Sequence, residues 1–318
     1  MRLPMPAARM TTFIGAWLKK LQNSNMRPAR LRWLRIALLF LIVGVSGCSL
    51  LRISYNNGES LTYWWLDTYV DFEPEQRAMV RGRINELFAW HRETRLPVYA
   101  RLLTGFERRL QAEAGPVEMA ADYLTLKNES IAVIDRALPA LAELALSLRP
   151  EQIAQVEKKF ASNANAYRKE YLLGDIESRQ RHRFKQSLKQ CEYWFGDFSE
   201  EQEAQIRQIS DTRPLNNELV LADMLQRQRT LVALLKRIVA EKPERDTVVQ
   251  WLKEYASLYV VERQGNAEYQ RFYDTATQAR LAMTAAVLNL TTPKQKAHAL
   301  KQIRDWQAFF ARVTTPSS

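Results

Sequence analysis

The feature that most constrains the fold of this chain is the helical period of its apolar residues. In the segment 215–240, leucine, isoleucine and methionine side chains recur every three or four residues, with charged residues between them. This is the pattern of an amphipathic α-helix. Leu, Ala, Arg, Gln and Glu dominate the segments after residue 58, and runs of alternating β-branched residues are absent from the sequence. The sequence therefore predicts an all-α fold.

Proline, glycine and capping residues divide the chain into about eight to ten helices, and no linker rich in Pro, Gly or Ser separates two halves. We therefore expect a single elongated multi-helix domain, with a division near 196–214 as the alternative. A tail, 314–318, is expected to be disordered. The predicted helical segments are 60–70, 74–113 (kinked at Pro97), 116–147 (disturbed near Pro139), 150–173, 175–195, 199–210, 214–241, 244–264, 266–289 and 293–313.

The segment before the helical part has the organisation of an export signal. A basic stretch from Arg27 to Arg35 is followed by the apolar run 36–43 and by small residues up to Cys48. A positive region, a short apolar region and a small-residue cleavage site indicate a secretory signal, and the apolar run falls short of the ~20 residues that span a bilayer. We predict a leader at 1–47, with the natural start at Met26 and a signal peptide at 26–47. A tether at 48–58 and a helical periplasmic domain at 59–313 follow it.

The end of this signal, Val45-Ser46-Gly47-Cys48, resembles the lipobox of bacterial lipoproteins. The resemblance implies that the peptide is cut before Cys48 and that its thiol carries a lipid such as palmitate. Two or more acyl chains hold a protein firmly to a membrane. Ser49 stands where enterobacterial lipoproteins retained in the inner membrane usually have Asp, so we expect an anchor in the outer membrane with the domain facing the periplasm. An ordinary signal anchor with an incidental cysteine is the alternative.

The formal charge of +11 is concentrated in the leader. Eight of the 46 basic residues and none of the 35 acidic residues lie in 1–47, so 38 basic residues face 35 acidic ones in the rest of the chain, a net charge of +3. These charges are interspersed, as on solvated helix faces, whereas strong phosphate binding requires a concentrated basic stripe. We therefore expect no nucleic-acid partner.

The sequence also offers no metal site. His91, His182 and His298 lie far apart, and none is in a zinc-protease or di-iron arrangement. If Cys48 carries lipid, Cys191 has no partner for an intramolecular disulfide, and we expect it to be a small buried apolar residue. We expect no metal and no other cofactor.

One class of enzymes, the lytic transglycosylases, would suit a cell-envelope lipoprotein. In lytic transglycosylases, which are helical, the catalytic Glu is commonly followed by Ser, and Glu59-Ser60, Glu129-Ser130 and Glu177-Ser178 resemble that dipeptide. The Gly-Leu-Met-Gln segment that follows in the family is absent here. Solvated helix carboxylates are the favoured interpretation, so we expect a non-enzymatic protein without catalytic residues, with a peptidoglycan-acting enzyme as the alternative.

Four helix starts share a glutamine. Gln76, Gln152, Gln202 and Gln295 each follow an apolar residue by four or five positions, with Pro, Ser or Thr at the helix start. The pattern predicts capping at four helix N-termini. These patches also resemble the Leu-Thr-x-x-Gln motif of the Spy and CpxP periplasmic chaperones, which implies a chaperone-like or envelope-stress role as an alternative function.

An aromatic segment follows the tether. On a helix, Leu61, Trp64, Trp65 and Tyr69 share a broad apolar face. We favour packing of this first helix into the core; the alternative is a surface at the membrane or at a partner groove, with Tyr63, Trp64 and Trp65 as the contact residues.

Together with the lipobox, Tyr55-Asn56-Asn57, Trp65-x-Asp67 and Phe72-Glu-Pro-Glu-Gln76 resemble an uncharacterised family of proteobacterial lipoproteins of unknown function. The resemblance implies an all-α envelope protein. We predict that the chain is anchored to a membrane through Cys48 and binds other envelope proteins or polypeptides through its helical surfaces.

Overall fold

Eleven α-helices and one π-helical turn make up most of residues 55–112, 115–261 and 266–314, which are the residues that the computed structural model describes. These ranges contain no strand, so the predicted all-α fold is confirmed. The helices are α1 Gly58–Val70, α2 Pro74–Thr94, α3 Leu96–Arg109, α4 Pro116–Ser147, α5 Pro150–Tyr171, α6 Ile176–Phe195, α7 Glu200–Asp211, α8 Asn217–Glu241, α9 Arg245–Tyr255, α10 Ala267–Leu290 and α11 Pro293–Thr314. The π-helical turn Ala256–Val261 continues α9.

The main departure from the predicted boundaries lies in 74–113, which forms two helices rather than one kinked helix. α2 ends at Thr94, and α3 begins at Leu96 with Pro97 in its first turn. Proline is tolerated there because its missing N–H would have had no intrahelical acceptor. This break raises the number of described α-helices to eleven, above the eight to ten predicted. Pro139, in contrast, lies inside the continuous helix α4.

The described part of the chain ends at Thr314. Thr314, the first residue of the predicted tail, is the last residue of α11. The leader, Cys48 and residues 315–318 lie outside the described residues, and so do the predicted cleavage and lipidation. Residues from 55 onward belong to one compact unit.

Two of the four glutamines at helix starts face each other across the interior. Gln76 Nε2 donates to the carbonyl of Ser147 at 2.8 Å, and Gln152 Nε2 donates to the carbonyl of Asp71 at 3.2 Å. The two side-chain amides also bond each other, at 2.7 and 3.2 Å. Each amide oxygen accepts the backbone N–H three residues before it as well. We call this pair the first glutamine clamp.

The other two glutamines repeat the arrangement as the second glutamine clamp. Gln202 Nε2 donates to the carbonyl of Leu290 at 2.8 Å, and Gln295 Nε2 donates to the carbonyl of Asp197 at 2.8 Å. The amides bond each other at 2.9 and 3.1 Å. In both clamps each acceptor lies five positions before the opposite glutamine. The predicted capping is confirmed, and the pairing across the chain is an additional role.

The two clamps mark two similar four-helix bundles. In the N-terminal bundle, α1 packs on α5 and α2 packs on α4; in the C-terminal bundle, α6 packs on α11 and α7 packs on α10. Each bundle has its own apolar core, around Phe72 in the first and around Phe198, Ile206 and Ile303 in the second. Two helix-turn-helix pairs therefore cross in the same way in each half of the fold, with α8 and α9 packed against the first bundle.

Candidate functional site: a basic groove along α6

A groove with a volume of about 560 Å³ runs along one face of α6 in the C-terminal bundle. On α6 its lining residues extend from Ser178 to Phe195, a length of about 25 Å at the rise of an α-helix. The end of α5, the loop 212–216, α10 and Phe106 of α3 form the remaining walls. Four arginines and one carboxylate line it, so the groove is cationic: Arg179, Arg183, Arg213 and Arg280, against Glu170.

Arg183 is fixed in the wall by backbone carbonyls rather than by a carboxylate. Its two terminal nitrogens donate to the carbonyls of Ser210, Arg213 and Pro214 at 2.7 to 3.0 Å. These carbonyls lie at and just after the C-terminal end of α7, where the helix dipole favours a cation. Burial lowers the pKa of Arg183, and the nearby charge of Asp211 opposes that shift.

Arg213 faces the groove without a strong acceptor. Its Nη1 lies 3.3 Å from Ser187 Oγ and 3.2 Å from Met283 Sδ. The pKa of Arg213 is lowered to about 10, mainly by burial and to a smaller extent by the positive charges of Arg183 and Arg280. The guanidinium is still charged at neutral pH, and no described carboxylate is among the groups that shift its pKa.

Unused hydrogen-bond donors gather in the same place. Within the described residues, buried side-chain nitrogens without a hydrogen-bond partner include Nε of Arg179, Arg183 and Arg213 and Nε2 of His182. Buried polar groups in folded proteins are nearly always hydrogen-bonded, and the exceptions concentrate where a ligand or water completes the site. Arg179 differs from Arg183 and Arg213 because it forms an ion pair: its Nη1 lies 2.5 Å from Glu218 Oε1.

The other end of the groove is apolar. Trp194, Phe195, Val287 and Leu288 line it together with Phe106, whose ring centroid lies 6.4 Å from that of Trp194. We call this part the apolar end. Phe195 and Leu288 also belong to the core of the C-terminal bundle, so this wall is held in place by packing.

Two amide side chains of α6 also line the groove. Gln186 and Gln190 line the groove from successive turns of α6 and are exposed. Neither takes part in the hydrogen bonds found among the described side chains. Each therefore has a free donor and a free acceptor toward the groove.

Cys191 also lines this wall and is half-buried, as expected from its sequence context. The pKa of its thiol is raised to about 11, mainly by burial. The charge of Glu192 contributes to this shift, and the charge of Arg213 opposes it. The thiolate is therefore scarce at neutral pH, and a nucleophilic role is disfavoured.

The aromatic residues predicted from the sequence lie elsewhere, on α1 of the N-terminal bundle. Tyr63 is 4% exposed, its ring centroid lies 5.5 Å from that of Phe72, and the guanidinium of Arg81 lies 3.7 Å above its face. Tyr63 is a core residue and cannot contact a partner in this structure. Trp64 and Trp65 are 44% and 58% exposed, so the structure separates the three residues that the sequence grouped together.

The helix packs into the core, as the favoured interpretation predicts, but Leu61, Trp64 and Trp65 of the expected apolar face are exposed. α1 instead buries Gly58, Tyr63 and Val70. The orientation of α1 is set by the residue that follows it: Phe72 is 1% exposed, and its backbone N–H donates to Asp67 Oδ1 at 2.9 Å. Binding of a partner by Trp64 and Trp65 stays a prediction.

The glutamates of the three Glu-Ser pairs each bond an arginine. Glu59 accepts from Arg92 at 2.6 Å, Glu129 from Arg95 at 3.1 Å and Glu177 from Arg181 at 2.5 Å. A guanidinium stabilises the charged carboxylate, whereas a general acid must hold its proton. None of the three lines the groove along α6.

The histidines are dispersed in the structure as they are in the sequence. His91 bonds the hydroxyl of Tyr55, His298 bonds the carbonyl of Trp194, and His182 lies in the groove, 3.8 Å from Glu170. No group of three His, Cys, Asp or Glu side chains with metal-binding geometry occurs in the part of the chain that the structure describes. Across 55–112, 115–261 and 266–314, every helix is too short or too polar to span a bilayer.

Sequence reasoning missed the groove because its four arginines are distributed over three separate segments of the chain. A signal was nevertheless visible: Arg179, Arg181 and Arg183 alternate along α6, and Arg213 stands in the loop before α8. Their convergence depends on how α6, α10 and the loop pack together.

Comparison with known proteins places the chain in one family. The model described as "Family of unknown function (DUF6279)" matches residues 68–263, and this finding confirms the resemblance to an uncharacterised family. No curated protein and no solved structure matches the chain.

Proposed function

We propose that this chain, which belongs to that family of unknown function, is a membrane-anchored binding protein of the bacterial cell envelope. In this proposal the groove along α6 holds an extended polypeptide segment that carries an acidic group. The observation that carries the proposal is the juxtaposition of unneutralised Arg213 and Arg280 with an apolar wall in one groove.

The dimensions of the groove suit an extended chain. About 25 Å of helix face accommodates roughly seven residues at the rise of an extended strand. The free amides of Gln186 and Gln190 face this path and can pair with backbone N–H and C=O groups. An acidic group at the arginines would gain charge-assisted hydrogen bonds, which are about twice as strong as neutral ones.

The anchor is the second part of the proposal. Cys48 carries the lipid, and the helical domain faces the periplasm from the outer membrane. The support is the register of basic region, apolar run, small residues and cysteine in 26–48. Labelling of cells with radioactive palmitate should mark the protein and should fail for Cys48→Ser; equal labelling of both would refute the anchor. Mapping the N-terminus of the unprocessed precursor tests the start at Met26.

Binding in the groove is tested with the full chain in nanodiscs of neutral lipid. Labelled octapeptides that contain Asp or Glu beside an apolar residue should bind, as measured by fluorescence anisotropy. Arg280→Gln should weaken binding by roughly tenfold, the value of one charge-assisted hydrogen bond. Arg271→Gln is the matched control because Arg271 is also exposed on α10 and does not line the groove. Absence of peptide binding, or equal effects of the two substitutions, would refute the proposal.

A chaperone-like role is the alternative form of the same activity, motivated by the resemblance of the four glutamine patches to the Leu-Thr-x-x-Gln motif. It differs in specificity, since a chaperone binds unfolded clients of many sequences. Suppression of the aggregation of several unrelated unfolded proteins at stoichiometric amounts would favour it. Binding confined to peptides with an acidic group would favour the selective groove.

A peptidoglycan-acting enzyme is the less favoured alternative, because each candidate glutamate bonds an arginine. It predicts release of muropeptides from purified peptidoglycan, and loss of that release in Glu59→Gln, Glu129→Gln or Glu177→Gln.

A further inference from the structure

We infer that the acidic group recognised by the groove is the free carboxylate at the carboxyl terminus of a polypeptide, with the last side chain in the apolar end. This inference rests on the proposed binding of polypeptides. It adds the part of the polypeptide that binds and the direction in which it lies.

The first argument is the access to Arg213. Its side chain is only partly exposed and its Nε is buried, while Ser187 and Met283 flank its Nη1 at 3.3 and 3.2 Å. A group at the end of a chain can enter such a space, whereas a backbone that continues in both directions needs room on both sides. The exposed guanidinium of Arg280, on the open side, adds a second positive charge.

The second argument is that the charged and apolar parts adjoin each other. Met283 contacts Arg213 through its sulfur and belongs to the same apolar cluster as Phe195 and Leu288. The carboxylate and the side chain of a terminal residue are attached to the same Cα, so they lie within one residue of each other. A terminal apolar residue therefore meets both parts of the groove at once.

The third argument concerns the rest of the ligand. Gln186 and Gln190 present amides that no other described side chain satisfies, on the exposed side of α6. The peptide groups of the preceding residues can satisfy them. A fatty acid would supply a carboxylate and an apolar body but would offer no hydrogen-bond partner to either amide.

The experiment compares two N-terminally labelled octapeptides of Ser, Thr and Gly that end in Phe, one with a free carboxylate and one with a carboxamide. Binding to the full chain in neutral nanodiscs is measured by anisotropy. The amidated peptide should bind about tenfold to a hundredfold more weakly, as expected for loss of an ionised acceptor. Arg280→Gln should reduce this difference between the peptides, and Arg271→Gln should preserve it.

A second variant tests the apolar part independently of charge. Val287→Asn introduces an uncharged polar group at the apolar end and should abolish the preference for Phe over Ser at the last position. Because Val287 is buried, circular dichroism must show a folded protein; Ala282→Asn, at an exposed position on the same helix that does not line the groove, is the matched control and should leave the Phe preference intact.

The outcomes are distinguishable. Equal binding of the acid and the amide would overturn the carboxyl-terminal inference while the binding of polypeptides stands. Binding of neither peptide, together with no binding of the acidic octapeptides, would overturn both. Tight binding of palmitate with no peptide binding would also overturn both, in favour of a lipid ligand.

Discussion

Removal of one amide from the first glutamine clamp should destabilise the fold strongly. Gln76 and Gln152 are 6% and 5% exposed, and Gln76 alone takes part in five side-chain hydrogen bonds. Gln76→Met keeps the side-chain length and a good helix former. It leaves the carbonyl of Ser147 and the N–H of Glu73 without their partner in the clamp, and the amide of Gln152 keeps its bonds to Asp71 and Arg149 but loses those to Gln76.

The size of the effect follows from these groups. A buried polar group left unsatisfied costs about 1–3 kcal/mol, and burial of the methionine side chain offsets part of that. We expect a loss of about 2–5 kcal/mol in the free energy of unfolding. Because Gln152 loses its partner in the single variant, Gln76→Met/Gln152→Met should cost less than the sum of the two single changes, with a coupling of about 1–3 kcal/mol.

Urea unfolding followed by circular dichroism measures these changes as shifts of the midpoint at constant slope. Gln205→Met is the control, because Gln205 is exposed on α7 and forms no side-chain hydrogen bond with the described residues; it should change stability by less than about 0.5 kcal/mol. A Gln76→Met variant as stable as this control, or additive effects in the double variant, would contradict the structural role of the clamp.

Three further predictions concern single residues. Because burial raises the pKa of the Cys191 thiol from 9.0 to about 11, its alkylation by iodoacetamide at pH 8 should be about a hundredfold slower in the folded protein than in urea; equal rates would contradict the burial. The unfolded chain loses that proton first, so the thiol's contribution to stability is complete below pH 9 and is lost between pH 9 and about 11, and Cys191→Ala should show a smaller fall of the urea midpoint over that interval. Phe72→Ala, at a side chain that is 1% exposed, should cost about 3–5 kcal/mol of unfolding free energy. Trp65→Ala should leave the melting temperature unchanged and reduce crosslinking to envelope proteins, whereas a large drop in melting temperature would show that Trp65 is structural.

The contrast between Tyr63 and Trp65 shows where sequence reasoning reached its limit in α1. The helical period placed both residues on a helix, because period and local capping follow from neighbouring residues. Which face was buried depended on Phe72, whose side chain enters the core of the N-terminal bundle. Tyr63 and Trp65, two positions apart on the same helix, are therefore 4% and 58% exposed.

The amino-acid sequence alone is sufficient to predict the helical segments of this protein and most of their starts, although not the break between α2 and α3. Capping at Gln76, Gln152, Gln202 and Gln295 is a local hydrogen-bonding property, and a helix start needs only the residues within one turn. The pairing of these glutamines across 76 and 93 positions is visible only in the folded chain. The same holds for the groove in which arginines from α6, α10 and a loop come together. Such meetings are set by the packing of distant apolar faces, and the chain order alone does not specify them.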